Sequence, residues 1–304
     1  MAEKIKLTFL GTGSAVPTVN RNHPAMLITY KDENLLFDCG EGTQRQIRKA
    51  QLNPCKITRL FITHWHGDHV FGIPGLLQTL RLNNYNKTLK VYGPVGTKRF
   101  FSLYKELFIG KGDSLKTEIT EVSSGRFIDE KEFFLEAQKM THDAPCLAYS
   151  FVIKEKTRLD KKKIEKLKIP NSPLLAELQK GKKIKIAGKT IDGKKLTYTE
   201  PPRKITYVLD TSQNKNINKI AKDSDILICE STYSSEETEL AMEHSHLTST
   251  QAAEIAKKTK SKKLILTHLS QKYETKKQQT QILEESKKVF KNSEVARDLD
   301  KLEI

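Results

Sequence analysis

The stretch Leu60-Phe61-Ile62-Thr63-His64-Trp65-His66-Gly67-Asp68-His69 joins a short apolar run to a cluster of three histidines and one aspartate. On an extended backbone His64 and His66 project to the same side, because side chains alternate along a strand. The glycine that follows allows a turn, after which Asp68 and His69 can face a neighbouring ion. Imidazole and carboxylate ligands without thiolate suit zinc and also accept Mn²⁺, Co²⁺ or Fe²⁺. The stretch therefore predicts a metal site at the end of a strand.

Three more candidate ligands each follow an apolar run elsewhere in the chain. His142 follows Phe133–Met140, Asp210 follows Ile205–Leu209, and His268 follows Lys263–Thr267. Sheets in α/β proteins place their chemistry at the carboxyl ends of strands, so these residues are expected to join the histidine cluster. Asp210 is the natural bridge between two ions, because one carboxylate carries two oxygens.

Apolar runs that end in polar loops alternate with segments of helical periodicity, which indicates an α/β layered fold. The predicted strands are Ile5–Leu10, Ala25–Thr29, Asn34–Phe37, Arg59–Thr63, Lys90–Tyr92, Phe133–Met140, Leu147–Ile153, Ile205–Leu209, Asp225–Cys229 and Lys263–Thr267. The predicted helices are Glu41–Ala50, Gly75–Leu82, Val95–Phe108, Thr248–Lys258 and Thr275–Phe290.

The composition bears on partners and compartment. Lys and Arg outnumber Asp and Glu by 53 to 37, a net charge of +16. Such an excess favours a polyanionic partner such as nucleic acid, although solvated lysine faces are the alternative. The sequence has no apolar stretch of membrane-spanning length and no signal-peptide pattern at its N-terminus. We therefore expect a cytoplasmic protein without a membrane partner.

Residues 154–204 differ in composition from the rest of the chain. They hold 17 Lys or Arg against 6 Asp or Glu, with prolines at 170 and 173. We predict an inserted arm between the halves 1–153 and 205–304 of a metallo-hydrolase domain. A partly disordered, solvated insertion is one interpretation, and a basic arm that grips phosphates is the other. The lysines expected to contact RNA are Lys161, Lys162, Lys163, Lys182 and Lys183.

The motifs together resemble the ribonuclease Z family of the metallo-β-lactamase superfamily. The resemblance extends along nearly the whole chain, and the stretches around Asp38 and His246 separate this family from generic members. The matching segments are 9–14, 36–44, 64–77, 210–211, 229–233, 246–250 and 266–270.

The resemblance implies a four-layer αβ/βα sandwich with a projecting basic arm and two zinc ions per subunit. It implies an endoribonuclease that removes the 3′ trailer from precursor tRNA, leaving a 3′-hydroxyl on the tRNA and a 5′-phosphate on the trailer. Relatives of this kind commonly form homodimers. The implied ligands are His64, His66 and His142 on one ion and Asp68, His69 and His268 on the other, with Asp210 bridging.

Three residues are expected to carry the chemistry. Asp68 is expected to orient the nucleophile or accept its proton. His246 is the candidate proton donor to the leaving O3′, and the alternative is a surface histidine. A capping box at Thr248-Ser249-Thr250-Gln251 predicts a helix start just after His246, which would disfavour a charged ring. Glu230, the partner implied by the family, would offset this by raising the pKa of His246.

Two supporting positions follow from the same resemblance. Asp38 follows a strand and is expected to shape a loop or support a ligand rather than bind metal. The loop 17–24 matches a family segment near the tRNA 3′ end, and Val19 stands where the family often has lysine. Arg21 in this loop is a candidate phosphate contact.

Two other functions compete with this interpretation. One is hydrolysis of a small phosphodiester or aryl sulfate on the same fold, against which the long basic segment argues. The other is an RNA-binding protein with an inert metal site, against which the full ligand set and His246 argue.

Overall fold

The computed structural model describes residues 3–110, 115–186 and 189–304. The strands in chain order are β1 (Ile5–Gly11), β2 (Ala25–Tyr30), β3 (Glu33–Phe37), β4 (Arg59–Phe61), β5 (Leu89–Gly93), β6 (Thr117–Glu121), β7 (Gly125–Asp129), β8 (Phe133–Met140), β9 (Cys146–Ile153), β10 (Lys156–Leu159), β11 (Lys183–Ile186), β12 (Lys189–Asp192), β13 (Thr197–Glu200), β14 (Arg203–Val208), β15 (Ile226–Glu230), β16 (Leu264–Thr267), β17 (Ser293–Val295) and β18 (Lys301–Glu303).

The α-helices are α1 (Thr43–Lys49), α2 (Gly67–Val70), α3 (Ile73–Leu82), α4 (Thr97–Phe108), α5 (Lys161–Lys166), α6 (Leu174–Gln179), α7 (Lys215–Ile220), α8 (Thr238–Glu243), α9 (Ser249–Lys258) and α10 (Lys276–Val289). Short 3₁₀ helices lie at Pro54–Lys56, Gly193–Leu196, Ser235–Glu237 and Gln271–Tyr273. The capping box predicted at Thr248 and Gln251 is present at the start of α9.

Two seven-stranded sheets repeat one topology. The first has the order β18-β1-β2-β3-β4-β5-β6 and the second β17-β16-β15-β14-β9-β8-β7. In the first sheet β18, β1, β2 and β3 pair antiparallel, and β3 to β6 pair parallel. In the second sheet β7, β8, β9 and β14 pair antiparallel, and β14 to β17 pair parallel. The strand β3 thus occupies the same topological position as β14.

Three apolar layers hold four structural layers together. The central layer lies between the sheets and contains large rings such as Phe37, Phe61 and Tyr149. A second layer joins α1, α3 and α4 to the outer face of the first sheet, and a third joins α7, α9 and α10 to the second sheet. Strands that are covered on both faces read as nearly continuous apolar runs, which is why the sequence revealed most of them. The predicted four-layer sandwich is confirmed.

The arm segment, residues 154–204, has its own small fold. The strands β10 and β13 pair antiparallel, as do β11 and β12, and neither pair joins the seven-stranded sheets. Ile169, Leu178 and Leu196 form a separate buried cluster. The described residues of the segment therefore contain regular secondary structure and a small apolar core.

Across the described ranges, every helix is too short or too polar to cross a bilayer.

Candidate metal and catalytic site

The predicted ligands meet where strands of both sheets end. His64 to His69 follow β4 and enter α2, His142 follows β8, and His268 follows β16. Asp210 lies two residues beyond β14. A cleft of about 550 Å³ opens onto this edge, and its lining includes Asp68, His142, Asp210 and His268. The topology therefore gathers residues that are far apart in the chain.

The first group consists of His64, His66, His142 and Asp210, whose ligand atoms lie within 4.8 Å of one another. Oδ2 of Asp210 lies 3.6 Å from Nε2 of His64 and 3.9 Å from Nε2 of His142. Nε2 of His142 is 3.2 Å from Nδ1 of His66. Three imidazoles and one carboxylate oxygen therefore converge on one point.

The second group consists of Asp68, His69, His268 and Asp210. Oδ1 of Asp210 lies 3.3 Å from Nε2 of His69 and 3.1 Å from Nε2 of His268. Oδ2 of Asp68 is 3.3 Å and 3.5 Å from the same two nitrogens. The two oxygens of Asp210 therefore face different groups, which is the geometry a bridging carboxylate requires.

Buried ligand atoms in both groups are left without hydrogen-bond partners among the described residues. They are Nε2 of His64, His69 and His268, and Oδ1 of Asp210. Leaving a buried polar atom unpaired costs about 1–3 kcal/mol, so several in one place need a common partner. A pair of divalent cations would satisfy all of them, and an imidazole–carboxylate set fits zinc.

Asp38 supports the metal-facing histidines from behind. Its Oδ2 accepts a hydrogen bond from Nδ1 of His69 at 2.9 Å, and its Oδ1 accepts from the backbone N–H of Thr63 at 2.8 Å. The Thr63 hydroxyl lies 3.1 Å from Nδ1 of His64. These contacts leave Nε2 of both rings aimed at the ligand groups. Sequence reasoning missed Thr63, although a hydroxyl residue directly before the first ligand was a usable signal.

Thr232 and Ser245 support two other histidines in the same way. The Thr232 hydroxyl lies 2.9 Å from Nδ1 of His268 and donates to Oε2 of Glu230 at 2.6 Å. The carbonyl of Ser245 lies 3.3 Å from Nδ1 of His142. Sequence reasoning missed both residues, because neither belongs to a pattern that indicates metal support.

Three residues of the site adopt left-handed backbone conformations that L-residues seldom occupy. The φ angles are 54° for Asp38, 42° for Asp210 and 59° for His268. Such conformations cost about 1 kcal/mol or more each and persist where the surroundings fix them. Asp38 and Asp210 follow the topologically equivalent strands β3 and β14. The backbone therefore adopts the same left-handed conformation after corresponding strands of the two sheets.

His246 and Glu230 form a pair at the wall of the cleft. Nδ1 of His246 lies 3.1 Å from each carboxylate oxygen of Glu230, which is fully buried. Glu230 also accepts hydrogen bonds from the backbone N–H groups of Thr211 and Leu247. Burial disfavours a charged ring, but the charge and hydrogen bond of Glu230 outweigh it and raise the pKa of His246 to about 9.

The ring of His246 lies between the two ligand groups. Its centroid is 5.5 Å from that of His142 and 5.5 Å from that of His268. Since Nδ1 faces Glu230, Nε2 is the nitrogen left for another partner. A protonated ring held here can deliver a proton to a group bound in the cleft.

The carboxylates of the ligand groups are held in the ionised form. Burial opposes ionisation of Asp210, yet the charges of His268, His69 and His64 hold the pKa of this carboxyl well below its usual range. Burial likewise opposes ionisation of Asp68, but electrostatic interaction with the adjacent His69 ring lowers the pKa of this carboxyl. Both carboxylates are therefore ready to bind a cation at neutral pH.

Arg21 corrects one expectation. Its side chain was a candidate RNA contact, but the residue is only 3% exposed. Nη1 of Arg21 donates to the Thr12 hydroxyl at 2.7 Å and to the carbonyl of Ala296 at 2.8 Å. Asp298 accepts from the same hydroxyl at 2.7 Å and from the N–H of Asn22 at 2.8 Å. Arg21 therefore helps to attach the loop 17–24 to the C-terminal segment around Ala296 and Asp298, and its side chain does not face solvent.

The five arm lysines lie at the start of α5 and around the start of β11, and all of them are exposed. None of them lines the catalytic cleft. The structure thus keeps the predicted phosphate contacts apart from the predicted ligands. The five are Lys161, Lys162, Lys163, Lys182 and Lys183.

Comparisons with known proteins identify relatives of this chain. A family model described as "Anti-Pycsar protein Apyc1" matches residues 5–129. A ribonuclease Z of Prochlorococcus marinus (strain MIT 9301) is 39% identical over 99% of this chain and 100% of its own length. The crystal structure of the short form of human tRNase Z is 28% identical, with a TM-score of 0.70 over 98% of both chains.

A metallo-β-lactamase fold protein from Bacillus subtilis, YhfI, superimposes with a TM-score of 0.72 at 18% identity and covers 100% of both chains. That likeness shows the fold, whereas the full-length identity to ribonuclease Z shows the family. The chain belongs to the ribonuclease Z family, on the metallo-β-lactamase fold.

Proposed function

We propose that this chain is a zinc-dependent endoribonuclease that removes the 3′ trailer from precursor tRNA. The products are a tRNA with a 3′-hydroxyl and a trailer with a 5′-phosphate. The observation that carries the proposal is the position of Asp210, whose two oxygens face separate histidine groups beside the His246–Glu230 pair. Membership of the ribonuclease Z family supports the choice of substrate.

Seven side chains would hold two ions. His64, His66 and His142 would bind one, Asp68, His69 and His268 would bind the other, and Asp210 would contribute an oxygen to each. Bound divalent ions supply Lewis acidity, which makes water more acidic and neutralises charge on phosphate oxygens. Zinc suits the imidazole-rich set, and Mn²⁺, Co²⁺ or Fe²⁺ are chemically compatible substitutes.

The chain's own residues would move the protons. Asp68 lines the cleft and its lowered pKa keeps the carboxylate ionised, so it can accept a hydrogen bond from an attacking water and orient it. His246 lines the cleft and holds a proton at neutral pH, and its Nε2 is not engaged by Glu230, so it can protonate the departing O3′. Glu230 is a positioning residue, since it acts through His246 and is itself fixed by three donors.

A homodimer remains the expected assembly. The arm segment would bind the body of the tRNA. The exposed lysines of the arm segment lie at the start of α5 and around the start of β11, and none of them lines the cleft. Phosphate contacts of this kind strengthen binding without reading sequence. A small phosphodiester would have no use for them, which favours an RNA substrate over the small-molecule alternative.

Cleavage of a precursor tRNA with mapped product ends tests the proposal. The expected result is a single cut at the 3′ end of the tRNA that requires bound metal. Cleavage of bis(p-nitrophenyl) phosphate without cleavage of precursor tRNA would favour the small-molecule hydrolase. Tight RNA binding without cleavage of either substrate, by a protein with full metal content, would favour the RNA-binding alternative.

A further inference from the structure

Two aromatic rings line the cleft beside His246 and have no part in the chemistry described above. They belong to Tyr233 and His244, whose centroids are 6.3 Å apart with only 22° between the ring planes. The Tyr233 centroid is 6.1 Å from that of His246. Tyr233 is partly exposed and His244 is exposed. A near-parallel pair of accessible rings therefore stands next to the proposed proton donor.

The backbone fixes the position of Tyr233 relative to His246. The N–H of Tyr233 donates to the carbonyl of Leu247 at 3.4 Å, and the N–H of Ser249 donates to the carbonyl of Tyr233 at 3.0 Å. These two bonds form a parallel bridge between Tyr233 and Thr248. The ring is therefore set by the same short segment that carries His246, and it does not depend on a free loop.

The lysine beside the Tyr233 ring is already paired with a carboxylate, which leaves the ring face available to a planar partner. The ammonium of Lys272 lies 6.0 Å from the centre of the Tyr233 ring, but it also pairs with Glu237 at 2.7 Å. The nearby carboxylate compensates the lysine charge, so Lys272 itself adds little attraction for a phosphate at this ring. A nucleobase presents a flat face that stacks on aromatic rings, and cation–π contact adds to such a surface.

We propose that Tyr233, together with His244, stacks the base of the nucleotide that carries the leaving O3′. This inference rests on the proposed function. His246 must reach O3′ to protonate it, so the nucleotide on the tRNA side of the cut lies on the His246 side of the cleft. Only the ribose separates that O3′ from its base. Stacking accepts all four bases because each has a π face.

A fluorescence experiment tests the contact without requiring cleavage. A precursor tRNA carries 2-aminopurine at the last nucleotide of the tRNA, and the metal-loaded protein is mixed with it in a stopped-flow instrument. We expect fast quenching before any product forms, its loss in Tyr233→Ala, and its retention in Tyr233→Phe, which keeps the ring. Met242→Ala is the matched control, since Met242 is 69% exposed on α8 but does not line the cleft.

Two fluorescence outcomes would overturn the inference. One is quenching that Tyr233→Ala leaves unchanged. The other is quenching confined to a probe at the first nucleotide of the trailer, which would put the rings on the opposite side of the cut.

Kinetics provide the second measurement. Tyr233→Ala is expected to lower kcat/KM about 5- to 150-fold on an intact precursor. On a precursor with an abasic site at the last tRNA nucleotide, wild type and Tyr233→Ala should cleave at equal rates. An equal loss on both substrates at unchanged metal content would refute base stacking. If wild type cleaves neither substrate, the proposed function fails, while the quenching experiment still decides whether the rings bind the base.

Discussion

The carboxylate of Asp38 accepts a hydrogen bond from Nδ1 of His69 at 2.9 Å, and both side chains are wholly buried. This contact fixes which nitrogen of His69 faces the ligand group. We expect Asp38→Ala to weaken metal binding about 10- to 100-fold, because partners of this kind orient a ligand without touching the ion. Competition with a chelator measures the change. Asp32→Ala, in an exposed turn, is the control, and an unchanged affinity in Asp38→Ala would contradict the assignment.

The substitution His246→Ala distinguishes between two roles of this histidine, proton donor and metal ligand. Its Nδ1 is committed to Glu230, yet His246 also lies close enough to His268 to share an ion with it. We expect the single-turnover rate on precursor tRNA to fall about 100- to 10 000-fold with the metal content intact. Metal analysis of the purified variant checks this. Loss of an ion from His246→Ala would mean that the histidine is a ligand.

The arm lysines are expected to act through charge. The triple variant Lys161→Ala, Lys162→Ala, Lys183→Ala should bind precursor tRNA more weakly. Its dependence of log K on log salt should be shallower, by about 0.7–0.9 for each phosphate that the variant no longer neutralises. Cleavage of a small phosphodiester should suffer far less. Lys87→Ala, an exposed lysine of the body, is the matched control. Equal losses on both substrates would show that the segment supports the fold instead of the RNA.

A substitution at Gly40 would test how tightly the chain packs against the backbone of Asp68. A Cβ atom at this position would lie 2.3 Å from the carbonyl oxygen of Asp68 and 2.4 Å from Cβ of His23. We expect Gly40→Ala to destabilise the protein by about 1–3 kcal/mol and to weaken metal binding, because the backbone that carries Asp68 must shift. Urea unfolding and metal titration measure the two effects.

Gly75→Ala is the control for this substitution. Its added Cβ meets the movable amide of Gln44, and alanine favours the helix interior. Comparable destabilisation by the two variants would show that the tight packing at Gly40 is not the cause.

Glu3 links stability to acid pH. Burial opposes its ionisation, but the Tyr30 hydroxyl, Lys156 and Lys31 together lower the pKa of Glu3 to about 2. Because this value lies below the ordinary 4.5, Glu3 stabilises the fold above pH 4.5, and the contribution is lost as the pH falls towards 2. We expect Glu3→Gln to flatten the dependence of the unfolding free energy on pH within that window.

Urea unfolding at a series of pH values measures this effect. Glu155→Gln, which alters an exposed residue of the arm segment, should leave the slope unchanged. A Glu3→Gln protein with the wild-type slope would show that the lowered pKa is absent in solution.

The sequence predicted the parts of the molecule whose signals are local. Buried strands appear as apolar runs, and the residues that follow them, such as Asp210 and His268, can be recognised by position. Contacts between distant segments leave no periodic trace. Arg21 carried a charge that suggested solvent, yet the C-terminal segment covers it. The polar composition of the arm segment likewise hid the small core around Leu178, because a few apolar side chains suffice for so small a unit.

The C-terminal segment has a consequence for how the molecule is assembled. Strand β18 completes the first sheet beside β1, and Asp298 holds Thr12 and Asn22, which flank a loop lining the cleft. The anchors of that loop are made long after the loop itself during synthesis on the ribosome. These hydrogen bonds can form only after Asp298 has been synthesised, so a nascent chain carries the ligand residues before this part of the cleft rim is anchored.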